Sequence, residues 1–292
     1  VPVGPEIGFL APHGRERLSA SNLRRTPVKG DDPSSAGCLV GVQALLLDLN
    51  GVLYDKPNRA IPGAGEALKW ARRGGLPIRF VTNTATRSAK AIREGMVRLG
   101  FALEQHELVT APLAAQSWIK ERGLRPHALV HPAIADVFDG LGAGPPDCVV
   151  LGDAREGLTY DALNQAFRLV LDGAPLIGIG LNRCFREAGQ WMLDAGPFTQ
   201  AIAWAAEVNP LIMGKPSAAF YEQVVAELGL KATQCLMVGD DVEADVAAAV
   251  DAGLQAALVR TGKYRARDEE RCPAGVHVID SIAALPRLQL RV

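Results

Sequence analysis

Several things are scarce in this sequence, and each scarcity removes a class of function. Net charge is −1 across 292 residues, from 31 Lys and Arg against 32 Asp and Glu. Such a balance carries no basic footprint for nucleic acid or an anionic membrane. No apolar run reaches the ~18 residues that a membrane-spanning helix needs. The five cysteines, Cys38, Cys148, Cys184, Cys235 and Cys272, are scattered and form no CxxC pair. They read as free thiols in a reducing compartment, not as a disulfide frame or a zinc site, so the expected location is cytoplasmic. The five histidines (His13, His106, His127, His131, His277) have no HExxH or related spacing, which argues against zinc hydrolysis. No short-period repeat or low-complexity tract occurs. Trp70, Trp118, Trp191 and Trp204 mostly sit at helical spacing among alanines, which suggests packing positions before ligand stacking.

What is present is a globular composition, 48% hydrophobic and 22% charged, with length for one large or two modest domains. Residues 1–37 differ from the rest. Pro, Gly, Ser and charges dominate and no period lasts, so a disordered extension is expected. A transit peptide is the alternative prompted by its arginines, and Glu6, Glu16, Asp31 and Asp32 weigh against it. From residue 43 apolar strands alternate with helices: "QALLLD", "PIRFVT", "QCLMVGD" and "QAALVRTG" are strands, "AGEALKWARRGG", "RSAKAIREGMVRLG" and "VEADVAAAVDAG" helices. This alternation predicts an α/β fold with a parallel sheet covered on both faces. The middle, 113–206, repeats it with "HALVH", "CVVLGD", "PLIGIG" and the helix "TYDALNQAFRLVLDG". It reads as a second α/β unit inserted into a core made of 38–112 and 207–292.

Ligands of open parallel sheets bind beyond the carboxyl ends of the strands. Four apolar stretches end there in useful residues: Asp48 and Asn50; Thr82, Asn83 and Thr84; Lys215 in "LIMGKPS"; and Asp240, Asp241 and Asp245 in "MVGDDVEAD". Asp48 and Asp240 on neighbouring tips are hard oxygen ligands suited to Mg²⁺. A threonine hydroxyl, an ammonium and free turn amides suit phosphoryl oxygens. An aspartate in line with phosphorus can act as a nucleophile. Taken singly, each has a bland reading as a turn, a helix cap or a helix start. Four in this order, each closing an apolar run of one alternating pattern, are hard to obtain by chance.

The order Asp48-x-Asn50-Gly-Val, Thr82-Asn83, Gly214-Lys215-Pro216 and Gly239-Asp240-Asp241-x-x-x-Asp245 resembles the haloacid dehalogenase superfamily of phosphohydrolases, over residues 41 to 292. The long insertion looks like its large α/β cap, as in the pyridoxal phosphatase and nitrophenylphosphatase branch. Within that branch, "VTAPLAAQSWIKERGLRP", "MLDAGPFTQAIAWA" and "VRTGKYR" are most similar to the phospholysine phosphohistidine inorganic pyrophosphate phosphatases. The resemblance implies a Rossmann-like core with an inserted cap, and Mg²⁺ as cofactor. Asp48 would be nucleophile and metal ligand, residue 50 would offer its backbone carbonyl to the metal, and Asp240 would be the third protein ligand. Thr82, Asn83 and Lys215 would hold the phosphoryl group beside Asp48, Leu49 and Asn50. Asp241 and Asp245 would support them, Asp245 as a partner for Lys215. Asn182 of the cap would face the leaving group. Related capped enzymes often dimerise through their caps, which makes a homodimer the implied assembly.

Asn50 is the departure. Most of the superfamily has a second aspartate there, which protonates the leaving oxygen and then activates water. An amide cannot exchange a proton in this way, and general acid–base help is worth ~10²–10⁴ in rate, or about 3–5 kcal/mol. Alkyl phosphate esters are thereby disfavoured. Phosphoramidates and pyrophosphate, whose leaving groups need little help, are favoured. The leading expectation is a Mg²⁺-dependent phosphohydrolase for phosphohistidine, phospholysine or pyrophosphate bonds. The alternatives are a phosphomonoesterase for small metabolites and a catalytically weak phospho-ligand-binding protein. A receiver-type signalling domain is too compact for the inserted unit, and halide displacement has no need of Asp240.

Overall fold

The computed structural model describes residues 39–56, 59–187, 190–288 and 290–291. The expected extension at 1–37, and Cys38, lie outside them. Six parallel strands form the larger sheet. In spatial order they are His277–Ile279, Gln255–Val259, Cys235–Gly239, Ala44–Asp48, Ile78–Thr82 and Leu108–Thr110. Leu47 pairs with Phe80 on one side and Val238 on the other. The chain therefore builds outward from Ala44–Asp48 in one direction and later in the other. The reversal falls between the strands that end in Asp48 and Gly239, the crevice where open α/β sheets bind ligands.

The strands read as unbroken apolar runs because both faces are covered. Leu45, Leu47, Phe80, Leu236 and Val238 join one apolar cluster, while Leu46, Val81 and Met237 join another. Helices Ala64–Arg73 and Ala89–Arg98 cover the first face. Helices Ala111–Glu121 and Ala218–Leu228 pack together on the second. Ser88 caps its helix by accepting from the Ala91 N–H, and Thr110 caps the next from Leu113.

A second parallel sheet runs in the order Leu211–Ile212, Leu176–Gly178, Cys148–Leu151 and Pro126–Leu129. Helices Tyr160–Leu171 and Ala195–Ala205 cover one face. Its other face, through Val150 and Ile177, belongs to the same apolar cluster as Leu46 and helix Ala111–Glu121. A hairpin of Cys184–Glu187 and Gln190–Leu193 precedes the last of these helices.

Two local expectations change. "LIMGKPS" does contain a strand, but Leu211–Ile212 pairs with Ile177–Gly178 in the second sheet and not in the sheet that carries Asp48. Trp204 is 85% exposed: its helix buries Gly196, Thr199, Ile202 and Ala203, and residue 204 falls on the opposite face. Among the described residues no helix is long and apolar enough to cross a membrane.

Candidate active site

The strand tips converge on a buried group of charges. Asp48 ends its strand nearly enclosed, and Lys215 Nζ lies 2.5 Å from its Oδ1. The same ammonium lies 2.6 Å from Asp245 Oδ1. Asp240 follows the neighbouring strand, and carboxylate oxygens of Asp48, Asp240 and Asp245 all fall within 4.8 Å of one another. Three carboxylates facing one ammonium leave an excess of buried negative charge, an arrangement that suits a hard cation.

The loops that close on Asp240 are cut to fit it. Its Oδ2 accepts the Lys263 main-chain N–H at 2.7 Å, while its buried Oδ1 has no partner. A Cβ on Gly51 would stand 1.9 Å from Asp240 Oδ2, and one on Gly262 would stand 2.0 Å from it. Both residues also have positive φ, 89° and 65°, which glycine adopts without penalty. The Thr261 hydroxyl donates to the Gly51 carbonyl, and the Gly51 N–H donates to Tyr54 O at 2.6 Å. Because a trans peptide is planar, that second bond also fixes the direction of the Asn50 carbonyl. Thr261, Gly262 and Lys263 have no role that residue types alone assign. The "VRTGKYR" run marks their position, but a main-chain donor leaves no imprint on residue type.

The segment after Asp240 is a widened turn, Val242–Ala247, leading into Ala248–Asp251, in place of one continuous helix. Val246 N donates to Asp241 O, five residues back. The buried Tyr221 hydroxyl donates toward Ala244 O and Asp245 O, at 2.9 and 3.2 Å, and so holds the backbone that carries Asp245. Asp241 Oδ1 caps this turn through the N–H groups of Glu243 and Ala244, and its Oδ2 meets Lys263 Nζ at 3.2 Å. Asp241 is thus engaged beside the charge cluster without facing it.

Thr82 ends the strand next to Asp48. Its Oγ1 accepts the Thr84 N–H at 3.2 Å and shares a hydrogen bond with the Thr84 hydroxyl at 3.1 Å. The Asn83 side chain is committed elsewhere: Nδ2 donates to Lys215 O at 2.7 Å and Oδ1 accepts from Lys215 N at 2.8 Å. Leu49 buries its side chain in the core, and its N–H supports the Asp48 carboxylate. Asn50 is exposed. Asn182 lines a cavity of about 340 Å³ with Asn83, Thr84, Thr86, Asp153 and Arg155. Arg155 holds φ at 52°, and its Nε lies 3.0 Å from the buried Asp153.

Burial dominates the titration of the acids. It pushes Asp240 up to about 6, opposed by the Lys263 N–H and helped by the Asp245 charge. Asp48 and Asp245 are also raised by burial, with Lys215 pulling each back. Burial alone would lower Lys215, but Asp245 and Asp48 outweigh it and keep the ammonium protonated. Asp241 goes the other way: burial is outweighed by the Ala244 N–H and the Lys263 ammonium, which hold its carboxyl low.

Residues 45–144 match the family profile of the haloacid dehalogenase-like hydrolases, and residues 212–285 match a second profile of HAD-hydrolase-like proteins. The phospholysine phosphohistidine inorganic pyrophosphate phosphatase of Rattus norvegicus is 40% identical over 237 residues, 79% of this chain and 87% of that protein. The chain belongs to the haloacid dehalogenase-like hydrolases. A second relative of this hydrolase, the human haloacid dehalogenase-like hydrolase domain-containing protein 2, is 38% identical over 249 residues, 82% of this chain and 96% of that protein. Among solved structures, 4-nitrophenylphosphatase of Thermotoga maritima superposes with a TM-score of 0.74 at 25% identity, covering 85% of the hydrolase and 98% of that chain.

Proposed function

We propose that this hydrolase is a Mg²⁺-dependent phosphatase that works through an aspartyl-phosphate on Asp48 and favours phosphoramidate or pyrophosphate bonds. The observation that carries the reading is Asp48 itself: a buried carboxylate at a strand tip, 2.5 Å from the Lys215 ammonium and beside Asp240, with an exposed amide at residue 50.

The donor set fits the metal. All available groups are hard oxygens, and Asp240 Oδ1 is buried without a partner. Asp245 belongs to the cluster by distance, but its Oδ1 meets Lys215 and its Oδ2 accepts the Asp241 N–H, so it serves the lysine. Asp48, Asp240 and the main-chain carbonyl of Asn50 would hold Mg²⁺. Bound there, the ion supplies positive charge that offsets repulsion between the carboxylates and the phosphoryl oxygens.

The chain's own groups divide the remaining work. A carboxylate oxygen of Asp48 forms a bond to phosphorus as the bond to the leaving group breaks, and the leaving group departs with that electron pair. Lys215 and the Thr82 hydroxyl stabilise the phosphoryl oxygens, and Asp245 keeps Lys215 charged and aimed. Water then attacks phosphorus, which frees phosphate and returns the Asp48 carboxylate. The Asn50 amide cannot protonate the departing atom. The mechanism therefore suits a phosphoramidate nitrogen that already carries a proton, or a departing phosphate, better than an alkoxide. The rat relative's name, a phospholysine phosphohistidine inorganic pyrophosphate phosphatase, supports the same substrate class.

Phosphate release from pyrophosphate, phosphoimidazole and an alkyl phosphate, with and without Mg²⁺ and with Asp48→Asn as the blank, tests the reading. Metal-dependent release from the first two with little from the third is expected. Equal release from the ester would overturn the substrate preference, and no release from any would leave a phospho-ligand-binding protein as the function.

A further inference from the structure

Lys215 reaches Asp48 by an unusual route. It is not delivered by a strand of the six-stranded sheet. The edge strand Leu211–Ile212 of the other sheet precedes it, Met213 N still donates to Gly178 O at 2.9 Å, and Gly214 follows at φ 146°. Two residues after the last contact with the second sheet, the chain must place an ammonium 2.5 Å from a carboxylate that belongs to the first. Among the described residues, no backbone pairing ties Lys215 to that first sheet.

The Asn83 side chain makes the tie. It directly follows Thr82, on the strand that pairs with the Asp48 strand. Its amide nitrogen donates to Lys215 O at 2.7 Å and its amide oxygen accepts from Lys215 N at 2.8 Å. A carboxamide that satisfies both polar groups of one residue's backbone imitates a neighbouring strand. Asn presents a donor and an acceptor on separate atoms of one planar group at the end of a short stem; Asp lacks the donor, Gln extends one carbon further, and a hydroxyl has a single atom for both jobs. A Cβ at Gly214 would come within 3.2 Å of Asn83 Oδ1, so the glycine keeps the approach clear.

We propose that Asn83 is a positioning residue, whose side chain fixes Lys215 against Asp48 by clamping the lysine's backbone and does not itself hold the phosphoryl group. The inference rests on the proposed role of Lys215 at the Asp48 phosphoryl site. It separates two jobs that adjacent residues Thr82 and Asn83 would otherwise share: the threonine faces the phosphoryl group and the asparagine holds the lysine.

A double-mutant cycle on Asn83 and Lys215, read with hydrogen exchange around Lys215, tests this. Asn83→Ala is expected to lower kcat for pyrophosphate by about ten- to a hundredfold, the loss that a misplacement of about an ångström brings. KM should stay within about threefold, and the Lys215 amide should exchange at least about tenfold faster. In a Lys215→Ala background the same change should cost less than about threefold, because the group it positions is gone. Asn83→Asp, which keeps the acceptor for Lys215 N, should fall between wild type and Asn83→Ala, and it carries the test if the alanine variant does not fold. An equal loss in both backgrounds would mean that Asn83 acts on the substrate directly and would overturn the proposal. So would unchanged exchange at Lys215. Should the wild-type protein release no phosphate, the functional reading fails, while the exchange measurement still decides whether Asn83 holds the lysine.

Discussion

Lys215 and Asp245 form a buried ion pair at 2.6 Å, and the same ammonium closes on Asp48 at 2.5 Å, so one lysine bridges two carboxylates from separate parts of the chain. The bridge is what lets Asp48 and Asp245 stand so close without repelling each other apart. Removing the lysine should therefore cost stability as well as chemistry.

Lys215→Met keeps the bulk of the side chain and deletes the charge. Breaking a buried pair from one side costs about 3–5 kcal/mol, and that loss is expected in urea unfolding at pH 7. It should shrink as pH falls, because burial raises both carboxylates and so favours their protonated forms. A variant as stable as wild type at pH 7 would mean the cluster relaxes without its cation.

Gly51→Ala and Gly262→Ala each push a methyl group into Asp240 Oδ2, at 1.9 and 2.0 Å in the present backbone. Both also force alanine to positive φ, at a cost of roughly 1–2 kcal/mol. Mg²⁺ affinity should drop by about 10–100-fold, as when a group supporting a metal ligand is displaced. Thermal shift against Mg²⁺ concentration reads this directly. A lowered melting temperature with an unchanged Mg²⁺ midpoint would show that Asp240 is no ligand.

The raised carboxyls set a pH dependence for the metal-free protein. Asp240 goes from an ordinary 3.8 to about 6 in the folded state, so the folded chain binds that proton more tightly than the unfolded chain does. The associated stability is fully present below pH 3.8 and disappears as pH rises through about 6. A carboxyl that titrates one pH unit higher when folded contributes about 1.36 kcal/mol in this way. In EDTA, wild type should lose stability as pH rises through that window, and Asp240→Asn should lose less. Identical pH slopes for the two proteins would contradict the assignment.

Asn50→Asp restores a side chain that can exchange a proton at residue 50. Turnover of an alkyl phosphate should rise, by up to ~10²–10⁴, while turnover of pyrophosphate changes little. A 4-nitrophenyl ester would not separate the cases, since its leaving group needs no proton either. A uniform gain on every substrate would point to water activation as the step that Asn50 lacks.

How much of the fold and the site is legible in the sequence depends on where each interaction partner lies. Asp48 and Asp240 are legible because both follow long apolar runs, and the alternating pattern makes those runs neighbours in a parallel sheet. Lys215 is legible as a residue type in a motif, but its route is not. "LIM" is as apolar as any core strand, and sheet membership is decided by pairing with Ile177–Gly178, which no local pattern encodes. The clamp of Asn83 spans 132 residues and is invisible until the fold closes. The Lys263 N–H on Asp240 could come from any residue but proline, and only the two glycines pressed on that carboxylate leave a trace in the sequence. The widened turn at Val242–Ala247 carries an ordinary helical pattern, and the tyrosine hydroxyl that hydrogen-bonds its backbone comes from another helix.

The apolar cluster that passes from Leu46 through helix Ala111–Glu121 to Val150 and Ile177 bears on how this protein could change over time. A unit that shares its interior with its host is not a cassette. Exchanging the second sheet for that of a relative would have to bring along Ile134 and Phe138, and their counterparts among Ala111, Ala115 and Ile119, as one matched set. Among the described residues of the hairpin, Cys184 and Leu193 are exposed.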